Sequence, residues 1–254
     1  MFGQPGDIDR MPGCGHDIGG QRGGPGTGVV TDGDGESDGL AGREGGIDLA
    51  TDTGTFSWRL YCLDKDSGEV LWSKEAYSGV PSAARHVKAS QTNSTPVTDG
   101  RYVAAIFGAE GLGLFDLEGK ILWKKDLGVL DPGLFGDASS QWGYASSPII
   151  FEDSLIVQVD RHQDSFVAAF RLTDGSQTWR VDRDEKPVWA TPTLYSGPLG
   201  TELIVMGGDY DRGLDPRTGE ELWRFARDLQ VKVTTPLVAE GLIVLSGGYR
   251  GKPL

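Results

Sequence analysis

Asp215-Pro-Arg-Thr-Gly-Glu-Glu-Leu-Trp223 is the stretch on which the reading of this chain turns. An Asp opens a turn, a Gly closes it four residues on, and a Trp follows in an extended run. Asp can cap such a turn through its own side chain, and Gly takes the positive φ that strains other residues. The unit recurs as Asp64-Lys-Asp-Ser-Gly68 before Trp72, Asp116-Leu-Glu-Gly119 before Trp123, and Arg171-Leu-Thr-Asp-Gly175 before Trp179. The glycine-to-tryptophan spacing is the same in all four copies. Successive tryptophans (72, 123, 179, 223) lie 51, 56 and 44 residues apart. That period fits one four-stranded propeller blade and is too long for a hairpin.

The sequence around each copy supplies the other strands. Thr95-Pro96, Ser147-Pro148, Thr191-Pro192 and Thr235-Pro236 place a proline at a strand start, where its missing N–H does least harm. Short β-branched runs follow at Arg101–Phe107, Ser154–Val159, Glu202–Met206 and Gly241–Leu245. A third strand leads into each turn, as in Arg59–Leu63 and Phe166–Phe170, and the Trp sits on a fourth. Such regular placement reads as packing between blades, not as a floor for a ligand. Counting gives three full blades at 94–127, 147–182 and 191–228, with an outer half-blade at 56–76 and an inner one at 235–248. Either the two halves complete one blade of a four-bladed ring, or the chain is a fragment of a larger ring. The second is expected, with an unclosed propeller that exposes strand edges.

Residues 1–52 read differently from the repeats at 53–254. The first fifty residues hold 16 of the 39 glycines, no Lys, and Phe2 as their only aromatic residue. Such a stretch buries too little apolar surface to offset chain entropy, so it is expected to be disordered or out of frame. Asp32-x-Asp34-x-Glu36 begins like a calcium loop, but Ser37 stands where Gly is required and Arg43 where a bidentate Glu is required. Cys14-x-His16 lacks a second ligand pair for zinc, and Gly24-Pro-Gly-Thr-Gly28 has neither a preceding strand nor a following Lys for phosphate. No metal-binding, cofactor-binding or catalytic residue is assigned. Cys14 and Cys62 set no disulfide framework; they form one bridge or redox pair, or are two unrelated thiols.

A formal charge of −13 argues against nucleic-acid binding, which needs clustered Lys and Arg, and against an anionic membrane surface. No run of 18 apolar residues occurs, so no membrane insertion is expected. The N-terminus lacks a basic and an apolar signal region; the protein stays inside, or its native start is missing.

These units resemble the PQQ-like (pyrroloquinoline-quinone-binding-like) β-propeller repeat, whose motif runs Ala-x-Asp-x-x-Thr-Gly-x-x-x-Trp. The unit ending at Trp223 keeps Asp215, Thr218 and Gly219; that ending at Trp72 keeps Asp64 and Gly68, with Ser67 for Thr. The unit ending at Trp179 keeps Ala169 but has Arg171 for Asp, and the one ending at Trp123 is a residue short. The resemblance implies an all-β propeller located in the periplasm or secreted, and the blade count makes it an incomplete ring. It implies that each Trp packs against the neighbouring repeat. Quinoprotein dehydrogenases with such repeats carry a vicinal Cys–Cys disulfide, a calcium ion and an Asp base, and no Cys–Cys pair occurs here. No cofactor is therefore expected, with PQQ allowed only through the resemblance.

The resulting expectation is a non-catalytic binding or scaffold module with a protein or saccharide ligand. The alternatives are a fragment of a PQQ-dependent dehydrogenase and the sensor domain of a signalling protein. His86 and His162 are expected in loops at the propeller mouth, with Asp160 or Asp164 as a conceivable orienting partner, or as ordinary solvated loop histidines. No Gly-x-Ser-x-Gly elbow supports a Ser–His–Asp site. Asp182-Arg-Asp-Glu-Lys186 reads as a solvated turn.

Overall fold

The computed structural model describes residues 29–34, 40–41, 49–50, 52–134, 137–226 and 231–247. They form antiparallel sheets that follow one another along the chain. The first blade orders Val29–Asp34, Phe56–Leu63 and Val70–Gly79. The second contains Val97–Thr98, Tyr102–Ile106, Leu112–Asp116 and Ile121–Lys125 in sequential order. The third contains Ile149–Phe151, Ser154–Val159, Ser165–Arg171 and Gln177–Arg183. The fourth contains Thr193–Gly197, Gly200–Val205, Tyr210–Leu214 and Glu221–Ala226. A hairpin of Leu237–Ala239 and Leu242–Val244 follows. Among the described residues this is a β-propeller of four-stranded blades, the first with three strands, whose ring is open.

Burial explains why the middle strands are continuous apolar runs. Ser154–Val159 and Ser165–Arg171 are covered on both faces, so alternation disappears. Phe56, Trp58 and Leu60 of the first blade pack on Val103, Ala105, Phe107 and Phe115 of the second. Ala104, Ile106, Leu112 and Leu114 meet Leu155, Val157, Phe166 and Phe170, and Ile156, Val167, Ala169 and Trp179 meet Leu203, Val205 and Leu214. The outer strands face solvent and alternate, as in Ile121–Lys125.

Val29–Asp34 and the short pair Leu40–Ala41 and Leu49–Ala50 are strands within the glycine-rich stretch. Val29–Asp34 runs along the edge of Phe56–Leu63, from Val29 opposite Cys62 to Asp34 opposite Ser57. That edge is the one Leu242–Val244 would need to complete a shared blade, so the two half-blades stay in separate sheets. Asp32 and Asp34, of the rejected calcium loop, lie in this strand, whereas Cys14, His16, Gly24–Gly28, Glu36, Ser37 and Arg43 lie outside the described residues.

The repeated turn is built alike in each blade. Gly68, Gly175 and Gly219 donate their N–H to the carbonyls of Asp64, Arg171 and Asp215 at 2.8, 2.9 and 2.8 Å. Asp64 Oδ1 accepts from the N–H groups of Asp66 and Ser67, and Asp215 Oδ1 from that of Arg217. Those N–H donors, chiefly that of Ser67, hold the Asp64 carboxyl below its ordinary range. Just past each turn the ladder slips by a bulge: the registers shift after Cys62, Leu114, Ala169 and Gly213, the residues opposite Trp72, Trp123, Trp179 and Trp223. A bulge re-aims a side chain, and here it does so at the same point of every blade.

The indoles are aimed at the next blade. Trp72 Nε1 donates to Leu117 O at 3.1 Å, Trp123 Nε1 to Leu172 O at 2.8 Å, and Trp179 Nε1 to Pro216 O at 3.1 Å. Each acceptor is the second residue of the following turn. The glycine that ends that turn lies against the ring: a Cβ on Gly219 would sit 2.7 Å from Trp179 Cε3, whereas one on Gly68 would meet nothing within 4 Å. Both have φ near +75° (Gly68 75°, Gly219 77°). Gly68→Ala is therefore expected to cost about 1 kcal/mol of backbone strain. Gly219→Ala should cost about 2–4 kcal/mol, strain and overpacking together. Paired denaturant titrations check the difference; equal losses would mean that the ring contact contributes nothing.

Candidate functional site

In an antiparallel blade the Gly turns mark one end of the propeller. The links from outer strand to next inner strand, and from second to third strand, therefore gather at the other end. Two of these links are long, 80–96 and 126–148, and they meet on that face. Asn93 Nδ2 reaches Tyr144 O at 3.3 Å, and Trp189 Nε1, from the next link, donates to Gly143 O at 2.8 Å. The hydroxyl–proline pairs lie beneath. Thr95 N–H donates to Ser147 Oγ at 2.8 Å and Ser147 N–H to Thr191 Oγ1 at 2.9 Å, so each hydroxyl binds the blade before it.

The first link is pinned at its base. Arg85 forms a two-pronged pair with Asp52 at 2.8 and 3.0 Å, and Gln91 Nε2 adds a bond to Asp52 Oδ2 at 2.7 Å. This fixes His86, which is buried, accepts Lys88 N–H at Nδ1 (3.0 Å), and bridges to Leu49. Its ring stacks on Trp142 with centroids 4.4 Å apart and planes 5° apart. Trp142 keeps 37 % of its surface exposed. A large aromatic side chain is thus displayed on a support that cannot easily move.

Below the surface lies a network of buried charges joining the third blade, the fourth blade and the segment before the hairpin. Asp160 accepts Arg183 Nη1 at 2.8 and 3.0 Å and Gln158 Nε2 at 2.6 Å. Glu185 pairs with Arg212 and accepts Asp209 N–H at 2.7 Å. Lys232 Nζ reaches Asp211 Oδ1 at 2.9 Å, both side chains being fully buried. Three carboxylates face three cations, so the charge is balanced inside a low-dielectric region.

Burial pushes Asp160 up from 3.8 to about 6, with Arg183 and Gln158 pulling the other way. An acid weakened by folding is protonated more readily folded than unfolded. Its contribution to stability therefore falls as pH rises from about 4 to about 6 and is level above that. Denaturation of the wild type and Asp160→Asn at pH 4 and pH 7 should show the wild type losing ground to the variant on going to neutrality. A pH-independent gap between them would contradict the shift.

Several sequence expectations meet this geometry directly. Neither histidine is hydrogen-bonded to Asp160 or Asp164; Asp160 belongs to Arg183. The solvated-turn reading of Asp182–Lys186 is corrected: Arg183 and Glu185 are buried while Asp182 and Asp184 are exposed, because strand alternation carries past Arg183. Cys62 is buried on Phe56–Leu63. Trp142, Trp189, Arg212, Asp211 and Lys232 belong to this face without a local motif that marks them. The two tryptophans fall outside the repeat, and that irregularity was the available signal.

The site and the sheets together define a repeat-built β-propeller with an elaborated loop face. The family model described as outer membrane protein assembly factor BamB matches residues 46–160 and 163–251, and the chain belongs to this family. No curated protein matches. Among solved structures, the chain is similar to quinohemoprotein alcohol dehydrogenase from Comamonas testosteroni (12 % identity, TM-score 0.49), over 78 % of this chain and 37 % of that one. It is also similar to BamB from Moraxella catarrhalis (15 % identity, TM-score 0.43), over 80 % of this chain and 74 % of that one. The chain thus spans just over a third of the dehydrogenase's length. Among the described residues, no helix is long and apolar enough to cross a membrane.

Proposed function

We propose that this chain is a non-catalytic protein-binding module that works outside the cytoplasm, as a scaffold of the kind its family description names, and that it receives its partner on the loop face. The observation that carries this reading is Trp142, exposed yet stacked on His86, its own link held by Trp189 and that of His86 by Asp52–Arg85. Rigid aromatic anchors give contact area at small entropic cost, which is why they dominate protein interfaces.

A quinone and its calcium ion suit the described residues poorly. Asp160, Glu185 and Asp211, the carboxylates central to this face, are each engaged by Arg183, Arg212 or Lys232. Among the described residues no group of three His, Cys, Asp or Glu side chains is placed to hold a metal ion. The chemistry beneath the loops is that of a brace.

The test is site-specific photo-crosslinking in cells. A photoreactive residue at position 142 should capture an extracytoplasmic protein of the outer-membrane assembly machinery. The same residue at Leu199, which is 96 % exposed at the opposite end of the propeller, should not. Capture at both positions alike would remove the case for the loop face. Binding of glycans with loss on Trp142→Ala would replace the protein partner by a saccharide. A saturable absorbance change with pyrroloquinoline quinone and calcium would overturn the non-catalytic reading.

A further inference from the structure

The 80–96 link carries a charge pattern opposite to that of the chain. The chain has 37 acidic and 24 basic residues, yet residues 80–96 hold Arg85, His86 and Lys88 and no Asp or Glu. Residues 138–148, around Trp142, hold no charged side chain at all. Among the described residues the carboxylates bonded to this link are both engaged, Asp52 by Arg85 and Gln91, and Glu110 by the N–H and Oγ of Ser82. Arg85 is therefore neutralised, whereas Lys88 is exposed and forms no ion pair among the described residues. Lys88 lies in a turn closed by Ala89 N–H to His86 O at 2.9 Å, and its own N–H is held by His86 Nδ1 at 3.0 Å. The same imidazole stacks on Trp142, with centroids 4.4 Å apart. One ring thus fixes both the backbone that carries the ammonium group and the exposed indole.

We propose that Trp142 and Lys88 together bind an acidic, extended segment of the partner protein. An apolar or proline side chain of that segment lies on the indole, and a carboxylate beside it meets the Lys88 ammonium. The proposal rests on the reading of this face as a protein-binding surface and adds the chemistry of what it takes. An aromatic face supplies contact area whatever the partner's charge, so it is the unpaired cation that selects. With a formal charge of −13, the molecule as a whole repels acidic chains. A region that offers a cation and no free carboxylate is then where such a segment can settle, and the repulsion elsewhere sharpens the choice.

An array of synthetic peptides probed with the full chain tests this. The peptides share one length and a central proline or phenylalanine, and differ in whether aspartate, glutamine or lysine flanks it. The aspartate set should bind, more weakly as salt is raised, and the lysine set should not. Lys88→Gln changes an exposed side chain and keeps the N–H that His86 accepts. It should weaken binding of the aspartate set about fivefold and abolish the preference over glutamine. Trp142→Ala should weaken all binding at least about tenfold. Binding that needs Trp142 but ignores Lys88 and peptide charge would overturn the acidic-segment proposal. It would leave the protein-binding reading standing, since the crosslink at position 142 decides that separately. A chain that binds no peptide would overturn the proposal as well, and Lys88-dependent binding of phosphatidylglycerol vesicles would then assign the site to an anionic lipid surface.

Discussion

Asp211→Ala will destabilise the chain by about 3–5 kcal/mol, because it removes the carboxylate that Asp211 presents to a buried ammonium group. Lys232 Nζ lies 2.9 Å from Asp211 Oδ1, and neither side chain has any accessible surface. Asp211 also takes the N–H of Gly207 at 3.3 Å, so the same change unties the second-to-third strand link of the fourth blade. Removing both charges together should do far less harm. In Asp211→Leu with Lys232→Met, apolar groups of similar size fill the space, and most of the loss should return. Equilibrium denaturation of the two single variants and the double variant gives the coupling. A double variant as unstable as Asp211→Ala would show that the pair was holding the segment by shape and not by charge.

Trp179→Ala should cost about 3–5 kcal/mol, the usual range for deleting a large buried aromatic residue. Trp179 is only 8 % exposed, packs with Leu203, Val205 and Leu214, and loses its bond to Pro216 O. The control is Trp223→Ala, the same residue of the next repeat. Among the described residues Trp223 is half-buried and gives its N–H to Glu202 of its own blade, so its loss should cost about 1 kcal/mol. The two variants share a sequence context and differ only in whether a turn covers the ring. Equal losses at the two positions would mean that the blade junction adds nothing to what each blade supplies alone.

The repeat itself was legible because its chemistry is local. Asp215, Gly219 and Trp223 mark a turn and a strand within nine residues, and the same pattern elsewhere fixes the blade. The prolines after Thr95, Ser147 and Thr191 marked strand starts correctly, but the purpose of the hydroxyls did not show. Their partners lie in another blade, some fifty residues away (Thr95 to Ser147). The loop face was the least readable part for the same reason. Asp182–Lys186 looked solvated because a run of five charges has no local sign of which members turn inward. Only the arrival of Asp160 from one side and Arg212 from the other makes Arg183 and Glu185 buried. Trp142 could not be told from a core aromatic residue until His86, from a separate insert, was found beneath it.

The direction of the indole bonds has a consequence for how the molecule comes into being. Trp72, Trp123 and Trp179 point forward along the chain, each to a turn made later than itself, and the hydroxyls of Ser147 and Thr191 point back to the blade made before. During synthesis a newly emerged blade therefore locks its predecessor and leaves its own ring waiting. Growth of this kind is vectorial, and nearest-neighbour coupling protects most a blade locked on both sides. Amide exchange should be slower in Tyr102–Ile106 and Ser154–Val159, which are buried with a blade on either side, than in Leu242–Val244, whose burial is slight.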